Sequence, residues 1–409
     1  MELTPSSIWI VTSAALVLFM TPGLAFFYGG LVKAKSVVSM LMLNFSAIAL
    51  IGVLWILYGY NMYTGAGETG GYYDGATNLI PGIVGNPFVG FGSTGEGVDL
   101  IDVAFGSTFA IITTALISGA IADRAKFGSW LLFAGLWATL SYFPVAGWVW
   151  GGGWIGAWDI NGQAVIDLAG GTAVHINAGA AALALALVLG KRVGFEKGIQ
   201  KPHSVPFVLL GASILWFGWF GFNTGLSGDQ DGLGLSFLNT IGAPAAAVIG
   251  WLLVEKFKDG KPTTVGAASG AVAGLVAITP SAGNLDPIFA LLLGLIAGVV
   301  SAFAIDLKFA LGYDDSLDVV GIHLVSGLIG TIYLGFLAQG TGLFFTGDWT
   351  QVILQTVPAF AVAIYSFIVA FIIGFVIEKT IGFRVKNEDE IAGIDLIVHG
   401  EEAYALEEK

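Results

Sequence analysis

Lysine and arginine occupy only every second gap between the hydrophobic stretches of this chain, and no other feature constrains its fold as tightly. Eleven long runs carry no charged residue: 3–32, 36–67, 103–122, 127–158, 168–190, 202–228, 232–254, 262–285, 287–305, 319–347 and 349–377. Each can hold a spanning helix, because a bilayer core of about 30 Å takes roughly 20 apolar residues and an unpaired charge at its centre is costly. All 16 bases fall in Lys33/Lys35, Arg124/Lys126, Lys191/Arg192/Lys197/Lys201, Lys256/Lys258/Lys261, Lys308 and the tail group Lys379/Arg384/Lys386/Lys409. None is left for the other side. The positive-inside rule makes these gaps cytoplasmic, so eleven crossings put the N-terminus outside and the C-terminus inside.

The composition agrees: 56% hydrophobic residues, 11% charged residues and a mean hydropathy of +0.84 lie far from soluble averages. The expectation is an all-α polytopic membrane protein. Without cysteine there is no disulfide framework, thiolate metal site or thiol nucleophile. The first 20 residues lack a basic n-region and an obvious cleavage site, so they read as the first helix rather than a removed signal. The 75–95 stretch is uncharged too, but six glycines and two prolines make it a long outer loop. The tryptophan-rich 148–166 segment reads as an outer vestibule loop. Sixty glycines suggest closely packed helices.

Divided by side, the net charge of −13 becomes informative. Twelve acids and no base lie outside (Glu2, Glu68, Asp74, Glu96, Asp99, Asp102, Asp159, Asp167, Asp229, Asp231, Asp286, Asp348), against seventeen acids and sixteen bases inside. Such a surface concentrates cations at the mouth, within the roughly 10 Å that salt allows, although acids also simply solvate loops.

The fifth and tenth runs each hold one histidine and begin near an aspartate: DLAGGTAVHINAG (167–179) and DVVGIHLVSG (318–327). Five spans per half reverse the second half, so helices 1–5 and 6–10 form an inverted repeat with helix 11 added, an arrangement that builds a midplane site. His175 lies eight residues from Asp167 and His323 five from Asp318, which lets both approach the membrane centre and face each other. One imidazole nitrogen can donate while its neighbour accepts, which suits a small N–H-bearing species or a proton; the plainer alternative is that each ring only bonds a neighbouring helix. His203 in the KPHS turn and His399 in the tail are weaker candidates. Aromatics form a second constellation: Phe105 and Phe109 on one face of helix 3, Trp148, Trp150 and Trp154 at the outer end of helix 4, Trp219 and Phe222 in helix 6. Aromatic faces attract a partly dehydrated cation by about 0.5–2 kcal/mol, and equally serve as packing and interface belts.

These segments resemble a known family. FFYGGLVKAKSVVSML (26–41), SYFPVAGWVWGGG (141–153), DLAGGTAVHINAG, GKRVGFEKG (190–198), GWFGFNTG (218–225) and DVVGIHLVSG look like the signature segments of the Amt/Mep/Rh ammonium transporters, over nearly the whole chain. The tail IAGIDLIVHGEEAY (391–404) is similar to the C-terminal segment of the Amt branch. The resemblance implies a plasma-membrane homotrimer with one narrow pore per subunit: a transmembrane ammonium-channel domain over 1–383 and a cytoplasmic regulatory tail over 384–409. It implies ammonium/ammonia and methylammonium as substrates in a lipid bilayer, contact with PII-type regulatory proteins, no nucleic-acid partner and no cofactor. Phe109 and Trp150 then match the outer cation-recruitment site, with Asp167 shaping the vestibule and favouring the cation without contacting it. Phe109 and Phe222 match a paired phenyl gate, His175 and His323 the twin histidines, and Leu24, Trp219 and Val319 apolar pore-lining positions. One position departs from the pattern: the usual serine after Phe-Asn-x-Gly is Leu226 here, with Ser227 one residue later.

The resulting expectation is that ammonium is recruited as a cation, loses a proton and crosses as ammonia, the proton returning outside or relaying through the imidazoles. No G-x-x-x-x-G-K-[ST] loop is present, so direct ATP drive is not expected. A sensor signalling through the tail is the competing reading. An enzyme is disfavoured, because two histidines without a nucleophile or carboxylate-rich metal set make no catalytic constellation.

Overall fold

The computed structural model describes residues 4–67, 77–89, 99–195, 201–227 and 229–404. Of the residues assigned above, Glu2, Glu68, Asp74, Glu96, Lys197 and Lys409 lie outside the described residues, as do both ends of the 75–95 loop. Among the described residues ten helices are long and apolar enough to cross a membrane: α1 (Pro5–Leu31), α2 (Val37–Thr64), α3 (Leu100–Ile121), α4 (Phe127–Val149), α5 (Gly171–Leu189), α6 (Val205–Thr224), α7 (Gln230–Lys258), α9 (Pro287–Leu311), α10 (Val320–Leu337) and α11 (Thr350–Thr380). The run expected at 262–285 forms α8 (Thr264–Ile278), of only 15 residues. Every residue of α8 from Ala268 to Ile278 is buried, so other helices, rather than lipid, surround it.

Local chemistry sets the helix starts. Thr4, Ser204, Asp229 and Thr263 each accept a backbone N–H from the first turn of the helix that follows, and Pro5, Pro206 and Pro287 sit where a missing N–H costs nothing. Small residues set how closely the helices pack. A Cβ on Gly211 of α6 would lie 2.1 Å from the Phe27 nitrogen of α1, and one on Gly298 of α9 would lie 2.1 Å from the Ala247 carbonyl of α7. The outward faces stay apolar: on α11, Ile364, Ile372 and Val376 are all exposed, as a surface in contact with acyl chains requires.

Two short hairpins depart from a purely helical chain. Asn78–Ile80 pairs with Val84–Gly85 within the expected outer loop, and Asp159–Ile160 pairs with Gln163–Ala164 after α4. The second turns at Asn161–Gly162, whose φ angles of 57° and 81° suit that dipeptide.

The tail packs against the loops at the basic end. Lys126 donates its N–H to the Phe383 carbonyl (2.8 Å), and Val385 donates to the Arg124 carbonyl (2.9 Å). The fully buried Arg124 guanidinium donates to the Asp314 carbonyl (2.5 Å) and to the Ser316 hydroxyl. Burial pulls Arg124 down to about 10. Arg192 grips the Asp314 carboxylate through Nε and Nη2 (both 2.9 Å) and reaches Asp123 at 3.2 Å. Burial pushes Asp314 up, but the Arg192 hydrogen bonds and the Arg124 charge hold it net below the usual carboxylate range. Glu390 accepts from Arg384 (2.7 Å) and from the Val193 N–H (2.6 Å), and Asp395 accepts the Val38 and Ser39 N–H groups at 3.0 and 2.8 Å. His203, expected to be peripheral, contacts Tyr404 Oη at 2.7 Å and the Val32 carbonyl at 3.0 Å, while His399 packs edge-on against Phe127.

Candidate functional site

Two widened helical turns shape the centre of the bundle. α5 opens with a π-helical segment, Gly171–Ile176, and α10 with another, Val320–Leu324; each is followed by 13 residues of regular α-helix. Such turns add a residue to the helical circuit and recur at functional positions. Each contains one of the two histidines. A carboxylate holds each turn in place. Asp167 accepts four backbone N–H groups, from Gly170 (2.8 Å), Gly171 (2.7 Å), Thr172 (2.9 Å) and Ala173 (3.2 Å). On the other side the Val320 N–H donates to Asp315 at 2.7 Å. The sequence pairs Asp167 with Asp318, but Asp315 is its counterpart: Asp318, at φ 63°, turns instead to Lys308 at 2.6 Å. Burial and the charge of Asp318 push Asp315 up to about 6.

The two imidazoles stack with centroids 5.3 Å apart and their planes inclined by 22°, and their Nδ1 atoms are 3.2 Å apart. His175 and His323 are 1% and 2% exposed. His175 Nε2 has no hydrogen-bond partner among the described residues. Trp219 lies parallel to the His175 ring at 5.5 Å, fixed by its Nε1 donating to Thr279 Oγ1 at 2.8 Å. A narrow, apolar-walled cavity runs along these rings.

Above it Phe222 closes the cavity, its ring 6.0 Å from His175 and stacked on Phe109 at 4.3 Å. Beyond the phenyl pair opens a second cavity, walled by Phe105, Phe109, Trp150 and Phe222. Trp150 meets Phe109 edge-on at 6.0 Å and donates its Nε1 to the Asp167 backbone carbonyl at 2.8 Å. Asp167 thus supports the vestibule through its main chain, while its carboxylate faces the α5 turn. A Phe109–Phe222 stack divides a vestibule from a narrow apolar lumen.

The Ammonium Transporter Family model matches residues 8–404. The chain belongs to this family. It is 50% identical to an ammonium transporter of Mycobacterium tuberculosis strain H37Rv, over 97% of this chain and 89% of that one. The ammonium transporter of Bacillus subtilis is 43% identical over 97% and 98%. Among solved structures, a protein named Sensor Amt Protein superposes with a TM-score of 0.87 at 25% identity, covering 96% of this chain and 98% of that one. Candida albicans Mep2 gives 0.84 at 32% identity, covering 97% and 90%. The curated relatives are transporters, and this chain is a helical, multi-pass membrane protein of their family.

Within this family member, Leu24, Trp219, His175, His323 and Phe222 line the lumen, but Val319 does not. Val319 is buried below it, where a Cβ on Gly119 would come within 2.8 Å of its side chain and 2.6 Å of Tyr28. Leu226 lines the vestibule, whereas the Ser227 hydroxyl is buried away from it without a partner among the described residues. A one-residue shift therefore does not bring the hydroxyl back. Trp148 and Trp154 pack with Tyr365 in a separate cluster. Sequence reasoning missed Met20, Ile112, Leu116, Leu215 and Val272 as lumen walls. Helical spacing was the available signal: Met20 precedes Leu24 by four, Ile112 and Leu116 follow Phe109 by three and seven, and Leu215 precedes Trp219 by four. Among the described residues no group of three or more His, Cys, Asp or Glu could hold a metal ion.

Proposed function

We propose that this transporter recruits ammonium as a cation at Phe109 and Trp150, strips one proton from it, and passes ammonia beyond the Phe109–Phe222 gate along His175 and His323. The observation that carries this reading is the Nδ1–Nδ1 contact of 3.2 Å inside an apolar lumen. Ammonium and potassium are similar in size, so a wide acidic pore would pass both. A lumen walled by leucine, tryptophan and phenylalanine rejects any ion that must stay charged and bare. Ammonium escapes this barrier because NH4+ divides into NH3 and H+. The neutral molecule can then donate to and accept from ring nitrogens along the lumen, while the proton returns outside or relays through the imidazole pair.

Around this path we place eleven crossings, with α8 as the eighth, the N-terminus outside and the basic, tail-bearing end in the cytoplasm of a plasma-membrane protein. The matched π-turns of α5 and α10, each held by a carboxylate, support an inverted repeat of helices 1–5 and 6–10. A homotrimer and a PII-type regulator acting at residues 384–409 complete the reading.

Ammonium, methylammonium and potassium pulses on purified protein in solid-supported membranes test it. Responses to the first two, read as current where the proton relays or as a rise in internal pH where only ammonia crosses, and none to potassium are expected; equal responses to ammonium and potassium would refute it. A sensor is the second reading, favoured by the likeness to Sensor Amt Protein and by the firmly docked tail. Deleting 384–409 separates them: a transporter keeps ammonium flux, whereas a sensor keeps binding and loses its signal.

A further inference from the structure

The vestibule contains two polar groups that the path above leaves unused. Asp102 lies in the first turn of α3, three residues before Phe105 and seven before Phe109, so the three share a helix face, and all three line the vestibule. Its Oδ2 accepts a hydrogen bond from the Tyr60 hydroxyl at 2.9 Å. That bond engages one of about four acceptor positions on an ionised carboxylate.

Asn223 lines the same cavity and is 2% exposed. Its Nδ2 donates to Thr240 Oγ1 at 3.0 Å, and Thr240 donates its own proton to the Ser236 carbonyl at 2.7 Å. The Thr240 hydroxyl can therefore only accept from Asn223, which fixes the amide orientation. The Asn223 Oδ1 is left buried and without a partner among the described residues. A buried amide oxygen in that condition is destabilised until a donor reaches it. Leu226 adds only hydrocarbon to this wall. Aromatic faces attract a cation but replace little of the hydrogen bonding that water gave its N–H groups. Oxygen acceptors must supply that.

We propose that Asp102 and the Asn223 Oδ1 form the oxygen ligands of a cation subsite in this vestibule, which takes a small monocation bearing N–H donors, ammonium or methylammonium. Asp102 is thereby an affinity-determining residue at the outer mouth. The inference rests on the transport reading of the preceding section.

The test uses the full chain in liposomes, with ammonium and methylammonium concentration series at fixed pH and ionic strength. Asp102→Asn should raise the half-saturating concentration roughly tenfold or more, the loss expected for a charge-assisted hydrogen bond, while the maximal current persists. Tyr60→Phe keeps the carboxylate and should shift it less. Leu226→Ser added to Asp102→Asn returns an oxygen to the wall and should recover part of the affinity. An unchanged half-saturating concentration, or a fall in maximal current alone, would overturn the subsite, because either result makes Asp102 only a support for Tyr60. Asp102→Ser is read alongside, so the test survives failure of one variant to assemble. A wild-type chain that gives neither an ammonium-evoked current nor an ammonium-evoked rise in internal pH would instead sink the transport reading itself.

Discussion

His175 and His323 approach each other Nδ1 to Nδ1 at 3.2 Å, so a hydrogen bond between them needs one ring to present a proton there and the other a lone pair. The pair therefore has a direction that proton movement would reverse. Replacing either ring with a carboxylate removes that property and puts a potential anion in the lumen. His175→Asp or His323→Asp should lower ammonium-over-potassium discrimination by roughly tenfold or more, measured as the ratio of liposome currents. Unchanged discrimination would remove the pair from the selectivity mechanism.

Phe222 borders both cavities and stacks on Phe109. Phe222→Ala would join the vestibule to the lumen and cost about 3 kcal/mol of stability, toward the lower end for a buried phenylalanine because it already borders empty space. The ammonium current should change several-fold and a potassium current should emerge, while native mass spectrometry still shows the wild-type assembly. A wild-type rate would reduce the stack to packing.

Asp315 gives a pH prediction. Its carboxyl titrates at about 6 in the folded chain, against an ordinary value of 3.8. Between those values the folded state holds a proton that the unfolded state has released, so stability falls as pH rises. The fall amounts to about 3 kcal/mol on the order-of-magnitude scale of such shifts. Asp315→Asn keeps an acceptor for the Val320 N–H and should abolish that decline. Melting temperatures of the two chains from pH 4 to pH 7 check it; parallel curves would mean that Asp315 ionises normally.

The Asp395 carboxylate contacts Val38 and Ser39 in the first turn of α2, where the residue before the helix, Ser36, makes no side-chain cap of its own. The tail thus supplies the missing N-cap. Asp395→Ala should cost about 1–2 kcal/mol and loosen the tail, which limited trypsin digestion after Arg384 and Lys386 would register as faster cleavage. Equal cleavage rates would show that the other tail contacts suffice.

Much of this was legible in the chain because charge exclusion by a bilayer is a strong, one-dimensional signal. Ten of the eleven uncharged runs became helices long enough to cross, and the two histidines, Trp219, Phe222, Phe109, Phe105 and Trp150 line two adjoining cavities, while Trp148 and Trp154 do not. What escaped depends on three-dimensional packing. The short α8 is enclosed by other helices, so its run was uncharged without needing bilayer length. Asp315 rather than Asp318 caps α10 because the positive φ of Asp318 turns its side chain toward Lys308, and linear spacing does not encode that bend. The hairpin at Asn161–Gly162 did have a local signature, hidden inside a segment read as loop. Val319 lies beneath the lumen because Gly119 and Tyr28 pack against it.

The widened turns at Gly171–Ile176 and Val320–Leu324 make chain length at these two places a determinant of ring direction. Deleting one residue within either would restore ordinary winding and swing its imidazole by about 100° relative to the rest of that helix. The distal halves of α5 and α10 would then carry unaltered side chains in the wrong azimuth. Conservative substitutions are tolerable there, but a single-codon loss severs the axis.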